Sequence, residues 1–249
     1  MGLHSFFQQK SIPFGSVMSK IWNQKIFKHI QEKADQASVK LAEERGPCPD
    51  AEEYGIKERF SNKTAIAPTA SISVICGGAS PGIEPIAANS YTHKTLSGSF
   101  NVRNKYLAKI LEKHGKNDDE TWSSITTNQG SVSHLDFLTD IEKDTFKTAF
   151  EIDQRWIVEL GADRTPHISQ AQSVNIFVPA DIHKKELHDI HFQAWKKGLK
   201  SLYYCRSKSI QRAENVNNGS STDVTKNVYS GKQESNNESN NYEECLSCQ

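Results

Sequence analysis

The chain has 249 residues and is poor in the features that mark membrane, secreted and nucleic-acid-binding proteins. Its longest apolar stretches, such as residues 72–76, fall far short of the ~20 residues that a membrane span requires. The N-terminus, Met1-Gly-Leu-His-Ser-Phe, carries no basic region followed by an apolar run and so does not read as a secretory signal. Neither sign of charge is in excess: 30 Lys and Arg face 30 Asp and Glu. Electrostatics therefore gives no argument for nucleic acid or an anionic membrane as partner. Cysteine is scarce, with five residues at 48, 76, 205, 245 and 248, and the odd number argues against a disulfide framework. Together these absences point to the cytoplasm. No internal repeat is present, and the length suffices for one large domain or two small ones.

What is present is a mixed helix and strand pattern. Residues 16–45 predict one helix, with Ser16 as N-cap and Gly46-Pro47 as stop. Val17, Ile21, Phe27, Ile30, Ala34, Ala37 and Leu41 form its apolar stripe. A polar connection over residues 48–62 follows. Residues 64–76 are small, β-branched and nearly uncharged, as expected of a strand running into a buried loop or helix start, and residues 77–82 form a turn cluster. Helices are expected at 101–115, where Tyr106, Ile110 and Leu111 share a face and Gly115 ends the run, and at about 146–161. Residues 173–178 read as a strand stopped by Pro179. A helix from Asp181 to about Lys200 follows, with Leu187, Ile190, Ala194 and Leu199 inward, and residues 201–205 form a second strand. Strand, helix, strand over so short a span is a βαβ unit, which implies parallel pairing and an α/β architecture. From about Ser207 onward core-forming residues thin out, and the segment cannot bury enough surface to offset its ordering entropy.

Few residues are candidates for chemistry. Cys245 and Cys248 form a Cys-x-x-Cys at the end of a polar arm of about 35 residues, whose root-mean-square reach is about 30–35 Å. Such a pair closes a small disulfide ring and suits electron delivery between two places; it also reads as an incidental pair on a frayed end. A zinc site would need a second Cys or His pair, and none lies nearby in sequence. Pro68, Thr69, Ala70, Ser71, Ile72 and Ser73 combine small residues with hydroxyls, which suits a phosphate cradle, although the residues by themselves favour a buried strand end with capping hydroxyls. Tyr203 and Tyr204 adjoin at a strand end. Neighbouring strand side chains face opposite sides, so stacking of the rings requires a local distortion, and the plain reading is one ring in the core. His183, His188 and His191 lack the carboxylates of a metal site, and Cys48, Cys76 and Cys205 read as packing residues.

Taken in order, these segments resemble the large subunit of class I ribonucleotide reductase over nearly the whole chain. The matching stretches are Met1-Gly-Leu-His-Ser-Phe with Ser11-Ile-Pro-Phe, residues 68–73 followed by Ser80-Pro-Gly-Ile-Glu-Pro85, residues 162–177, Gly198-Leu-Lys-Ser-Leu-Tyr-Tyr204, and the terminal dithiol. The resemblance implies an α/β fold, the C-terminal half of the family's ten-stranded α/β barrel over residues 1–206. A flexible linker (207–241) and a disordered redox-active dithiol tail (242–249) would follow. It implies that Pro68, Thr69, Ala70, Ser71, Ile72 and Ser73 bind the diphosphate of a ribonucleoside diphosphate. Tyr203 and Tyr204 would relay a radical from a small subunit, which carries the radical or metal cofactor, while this chain binds none. Cys245 and Cys248 would re-reduce an active-site disulfide and in turn be reduced by thioredoxin or glutaredoxin.

The family's thiyl-forming cysteine, its reducible cysteine pair and its nucleotide-sensing regions lie upstream of every motif matched here. The resemblance therefore implies an N-terminal large-subunit fragment as partner, as in a phage-like split subunit acting in the host cytoplasm, or else a truncated gene product. A stand-alone thiol-disulfide module is the competing reading. An isolated half-barrel is expected to leave an unpaired sheet edge.

Overall fold

The computed structural model describes residues 1–95 and 98–207. Cys245, Cys248, the expected linker beyond Ser207 and the tail lie outside these residues.

Nine α-helices and four strands follow in the described chain: α1 (Leu3–Gln9), α2 (Val17–Arg45), α3 (Pro49–Glu53), α4 (Ala70–Ile75), β1 (Ser90–Thr95), β2 (Gly98–Arg103), α5 (Lys105–Lys113), α6 (Asp119–Thr127), α7 (Asp140–Thr145), α8 (Gln154–Arg164), β3 (Ile176–Val178), α9 (Lys184–Lys196) and β4 (Cys205–Ser207). The expected parallel pairing holds: β3 lies parallel to β4, with Ile176 opposite Cys205. On the other flank of the same chain segment, Ile66 bridges Gln172, also in parallel. Residues 170–178 thus run between 64–66 and 203–207. Among the described residues no further strand pairs with either outer segment. No described helix is long and apolar enough to cross a membrane.

The long helix α2 starts where expected. Ser16 and Ser19 form a reciprocal capping box, the Ser16 hydroxyl accepting from the Ser19 N–H at 3.2 Å. Of the expected apolar stripe only Phe27 is fully buried. Val17 is 68% exposed and Ile21 and Ile30 also face outward, while Ser19, Asn23, Phe27, Ser38 and Ala42 are buried. The reason is hydrogen bonding: Asn23 donates to the Leu160 carbonyl of α8 at 2.9 Å, Ser19 donates to the Phe14 carbonyl, and Ser38 accepts from the Arg59 and Phe60 amides. A polar face so satisfied loses little on burial, and apolar periodicity does not reveal it.

Other boundaries also shift. The expected helix at 146–161 is instead α8, capped by Asp153, which accepts from the Arg155 amide. The preceding segment is held as a turn by Glu151, which accepts from both the amide and the hydroxyl of Thr148. The expected helix at 101–115 divides into β2 and α5, because the Asn104 carboxamide accepts from the Tyr106 and Leu107 amides and caps the helix there. Leu107 and Leu111 are its buried residues, with Tyr106 and Ile110 packed at the margin. Helix α9 starts after His183 rather than Asp181, since His183 Nδ1 accepts from the Lys185 amide. Ile190 and Ala194 face inward as expected. The expected connection at 48–62 contains α3, with Pro49 at its first turn.

Two main clusters form the interior. One gathers α1, α2, α8 and β3 through Leu3, Phe7, Phe14, Phe27, Leu160 and Phe177. The other lies among α5, α6 and α7 and uses Leu107, Leu111, Trp122, Ile125, Leu138 and Phe146.

Candidate functional site

The segment 80–86 joins the pieces that the sequence analysis singled out. Its start is tied to α1 by a reciprocal pair, with the Ser80 amide donating to Ser5 Oγ at 2.8 Å and the Ser5 amide to Ser80 Oγ at 3.1 Å. Its end is tied to the same helix by His4, whose Nδ1 accepts from the Ile86 amide at 3.0 Å. Complete burial lowers the His4 imidazole to about 3, so the ring is neutral and suited to accept. Between these anchors the segment reaches the loop at 67–70 through Gly82 and the sheet through Glu84.

The loop itself turns sharply at Thr69, a non-glycine residue with φ of 52°. Helix α4 then begins, and its first amides, at Ala70, Ser71 and Ile72, have no acceptor within the helix. Ser71 and Ile72 are exposed, whereas Ser73 is buried and donates its hydroxyl to the Ala70 carbonyl at 2.6 Å. Thr69 Oγ1 accepts from the Gly82 amide at 2.9 Å. The structure therefore corrects the expectation of three available hydroxyls. Ser73 is spent on its own helix, and Ser71 is the one that faces solvent. Gly82 is required for this approach: its φ is +51°, and a Cβ there would meet the Pro68 carbonyl oxygen at 3.2 Å.

Glu84 points the other way. Its two carboxylate oxygens accept from the Asn175 amide at 2.6 Å and from Asn175 Nδ2 at 2.9 Å. Burial pushes its carboxyl above the ordinary value, partly offset by these bonds and by the charges of Arg206 and Arg164. Asn175 Oδ1, so oriented, accepts from the Tyr204 amide at 3.0 Å. The Tyr203 amide donates to the Val174 carbonyl, and the Ile176 amide donates to the Tyr204 carbonyl. Three consecutive residues, Val174, Asn175 and Ile176, thus hold the backbone of the tyrosine pair.

The plain reading of Tyr203 and Tyr204, with one ring in the core, is overturned. Both rings are about half exposed, 45% and 40%, and their centroids lie 4.2 Å apart at an interplanar angle of 53°. The pair precedes β4 rather than lying within it, so the alternation of a regular strand does not apply. The Arg206 guanidinium lies 5.8 Å from the Tyr204 ring. Behind the sheet, Arg164 is fully buried, donates to Gln172 and Asn23, and is held down to about 9 by burial.

Two expectations about cysteine fail. Cys76 and Cys205 are exposed and Cys48 is half-buried, so Cys76 and Cys205 are not core-packing residues. Among the described residues no cluster of three His, Cys, Asp or Glu is arranged to hold a metal. Residues that sequence reasoning missed are His4, Glu84 and Asn175; the Ile-Glu-Pro and Val-Asn-Ile triplets were visible, but nothing in sequence announced that they touch.

Comparison with known proteins points to one family. The family model described as "Ribonucleotide reductase, barrel domain" matches residues 1–57 and 50–205. The ribonucleoside-diphosphate reductase large subunit of Invertebrate iridescent virus 6 is 46% identical over 220 residues, covering 87% of this chain and 23% of that protein. The large subunit of Danio rerio is 33% identical over 238 residues, covering 83% of this chain and 30% of its own length. The class Id ribonucleotide reductase alpha subunit of Actinobacillus ureae superposes with a TM-score of 0.78 at 37% identity, over 86% of this chain and 39% of that one. The chain spans about a quarter to a third of these two curated relatives.

Proposed function

The chain belongs to the ribonucleotide reductase barrel-domain family, and from that membership we propose that it is the C-terminal part of a ribonucleoside-diphosphate reductase large subunit. It acts when joined to an N-terminal large-subunit fragment and a small subunit, and the assembly converts ribonucleoside diphosphates to deoxyribonucleoside diphosphates. The observation that carries this reading is the tyrosine pair: two rings 4.2 Å apart, half-exposed, at the braced end of a parallel sheet. Contact at that distance suits proton-coupled transfer of a radical from one phenol to the next. The radical originates on the small subunit, which holds the cofactor; Tyr203 and Tyr204 pass it inward.

The α4 loop receives the substrate diphosphate. Support comes from its uncommitted amides at 70–72, the outward Ser71 hydroxyl and the Thr69 hydroxyl hydrogen, all donors suited to an anion. Replacing a ribose hydroxyl by hydrogen takes up two electrons and releases water, so each turnover oxidises two thiols to a disulfide upstream of this chain. Cys245 and Cys248 carry the electrons that restore it, and thioredoxin or glutaredoxin reduces them in turn.

Tyr203→Phe and Tyr204→Phe test the relay in the reconstituted complex. Turnover should fall by roughly 10³-fold or more with nucleotide binding near normal, and substantial turnover in either variant would sink the relay. Cys245→Ser with Cys248→Ser should block thioredoxin-driven turnover and spare turnover driven by a small dithiol. Equal failure with both reductants would remove the shuttle role.

A further inference from the structure

We propose that Glu84 is a positioning residue for Tyr204, acting through Asn175, and that segment 80–86 sets the placement of the tyrosine pair relative to the α4 loop. The inference rests on the relay reading for its functional consequence but not for its structural content.

The argument starts from satisfaction of hydrogen bonds. The Asn175 carboxamide has one acceptor oxygen and two N–H donors, and free rotation about its terminal torsion would let either end face Tyr204. Glu84 removes that freedom. A carboxylate accepts and does not donate, so Nδ2 must turn toward it and Oδ1 toward the Tyr204 amide. The second carboxylate oxygen takes the Asn175 backbone amide, which fixes the residue at both ends. The Tyr204 N–H is thereby held by a side chain, while its own carbonyl accepts from the Ile176 amide and the preceding Tyr203 amide donates to the Val174 carbonyl. Burying a carboxylate away from a full salt bridge is costly, so a cheaper neutral residue would serve if packing alone were needed.

The same segment holds the other end of the site. Two residues before Glu84, the Gly82 amide is bonded to Thr69 Oγ1. Ser80 and Ile86 are pinned to α1 by Ser5 and His4. A strap fixed at both ends and gripping the loop with one residue and the sheet with another gives the two functional elements a common reference.

Glu84→Gln and Asn175→Ala in the reconstituted complex test the assignment. Glutamine presents an N–H₂ to one of the two Asn175 donors, and alanine removes the acceptor for Tyr204. Both should speed hydrogen exchange of the Tyr204 amide about tenfold, broaden or shift the ¹⁹F resonance of 3-fluorotyrosine at 204, and lower kcat roughly 10- to 100-fold. The KM for a ribonucleoside diphosphate should stay within about twofold, since the diphosphate donors are untouched. Unchanged exchange and an unchanged ¹⁹F signal in the folded variants would overturn the proposal, as would faster exchange with full kcat. If neither variant folds, the wild-type complex decides: a Tyr204 amide exchanging as fast as an exposed loop amide overturns the brace, and a protected one supports it. Tyr204→Phe is the control for the underlying reading. Normal turnover there removes the relay, while the exchange data continue to report on the brace.

Discussion

The two interior clusters of the molecule are built from different materials. Around α5, α6 and α7 the buried residues are mainly apolar, with Thr121, Thr145 and the nearby Asn89 as polar members, and no candidate site residue falls there. Around α1, α2, α8 and β3 the interior also takes in His4, Gln8, Asn23, Arg164, Gln172 and Asn175, most of them in specified hydrogen bonds. The tyrosine pair and the α4 loop both attach to this second body. Apolar packing is tolerant of exchange and defines position loosely, whereas a buried donor or acceptor has few partners and defines it tightly. The richer polar interior is the one to which the tyrosine pair and the α4 loop attach.

This contrast can be broken experimentally. The largest effect on stability is expected in the apolar cluster: Leu111→Ala, at a fully buried position, should cost ~2–5 kcal/mol by urea unfolding while leaving kcat per folded molecule unchanged. A fall in kcat beyond the folded fraction would blur the distinction between the two bodies.

The next effect is acid sensitivity from His4. Its imidazole is lowered from 6.5 to about 3, so below pH 6.5 the unfolded chain binds a proton that the folded chain does not. Its contribution is present above pH 6.5 and is lost as pH falls toward 3. His4→Gln, which keeps an acceptor for the Ile86 amide, should flatten this slope in unfolding measured across that range. An unaltered slope would show that the acid sensitivity resides elsewhere.

Gly82→Ala should cost ~1–2 kcal/mol from the left-handed backbone alone, and the displaced Pro68 carbonyl should weaken nucleoside diphosphate binding measured by calorimetry. Full affinity in that variant would detach the loop from the strap. The smallest effect is expected from the titration of Glu84, which runs opposite to His4. Because its carboxyl is raised above 4.5, its contribution to stability is greatest below that pH and is lost as pH rises through the raised value. Glu84→Gln should remove this shallow decline, and persistence of the decline would assign it to another carboxyl.

Local signals in the sequence read well wherever a residue acts on its own neighbours. Ser16 capping α2, Gly46 and Gly115 ending helices at positive φ, and the parallel pairing around residues 173–207 were all legible in this way. The division at Asn104 and the start of α8 at Asp153 were missed because a capping side chain outweighed apolar continuity. The burial of Asn23 and Ser38 on α2 was missed for a different reason, since their partners lie on α8 and in a distant loop.

The sequence alone determined the α/β class and the parallel order and singled out the loop, tyrosine and dithiol segments as candidates, because ordered motifs and short-range periodicity are properties of neighbours along the chain. Only the tertiary structure decided that Tyr203 and Tyr204 share an exposed face, that Ser73 is spent on its own helix, and that Glu84 and Asn175 meet across 91 residues. Those outcomes depend on which buried donors find which acceptors, and that matching is settled only when distant segments are brought together.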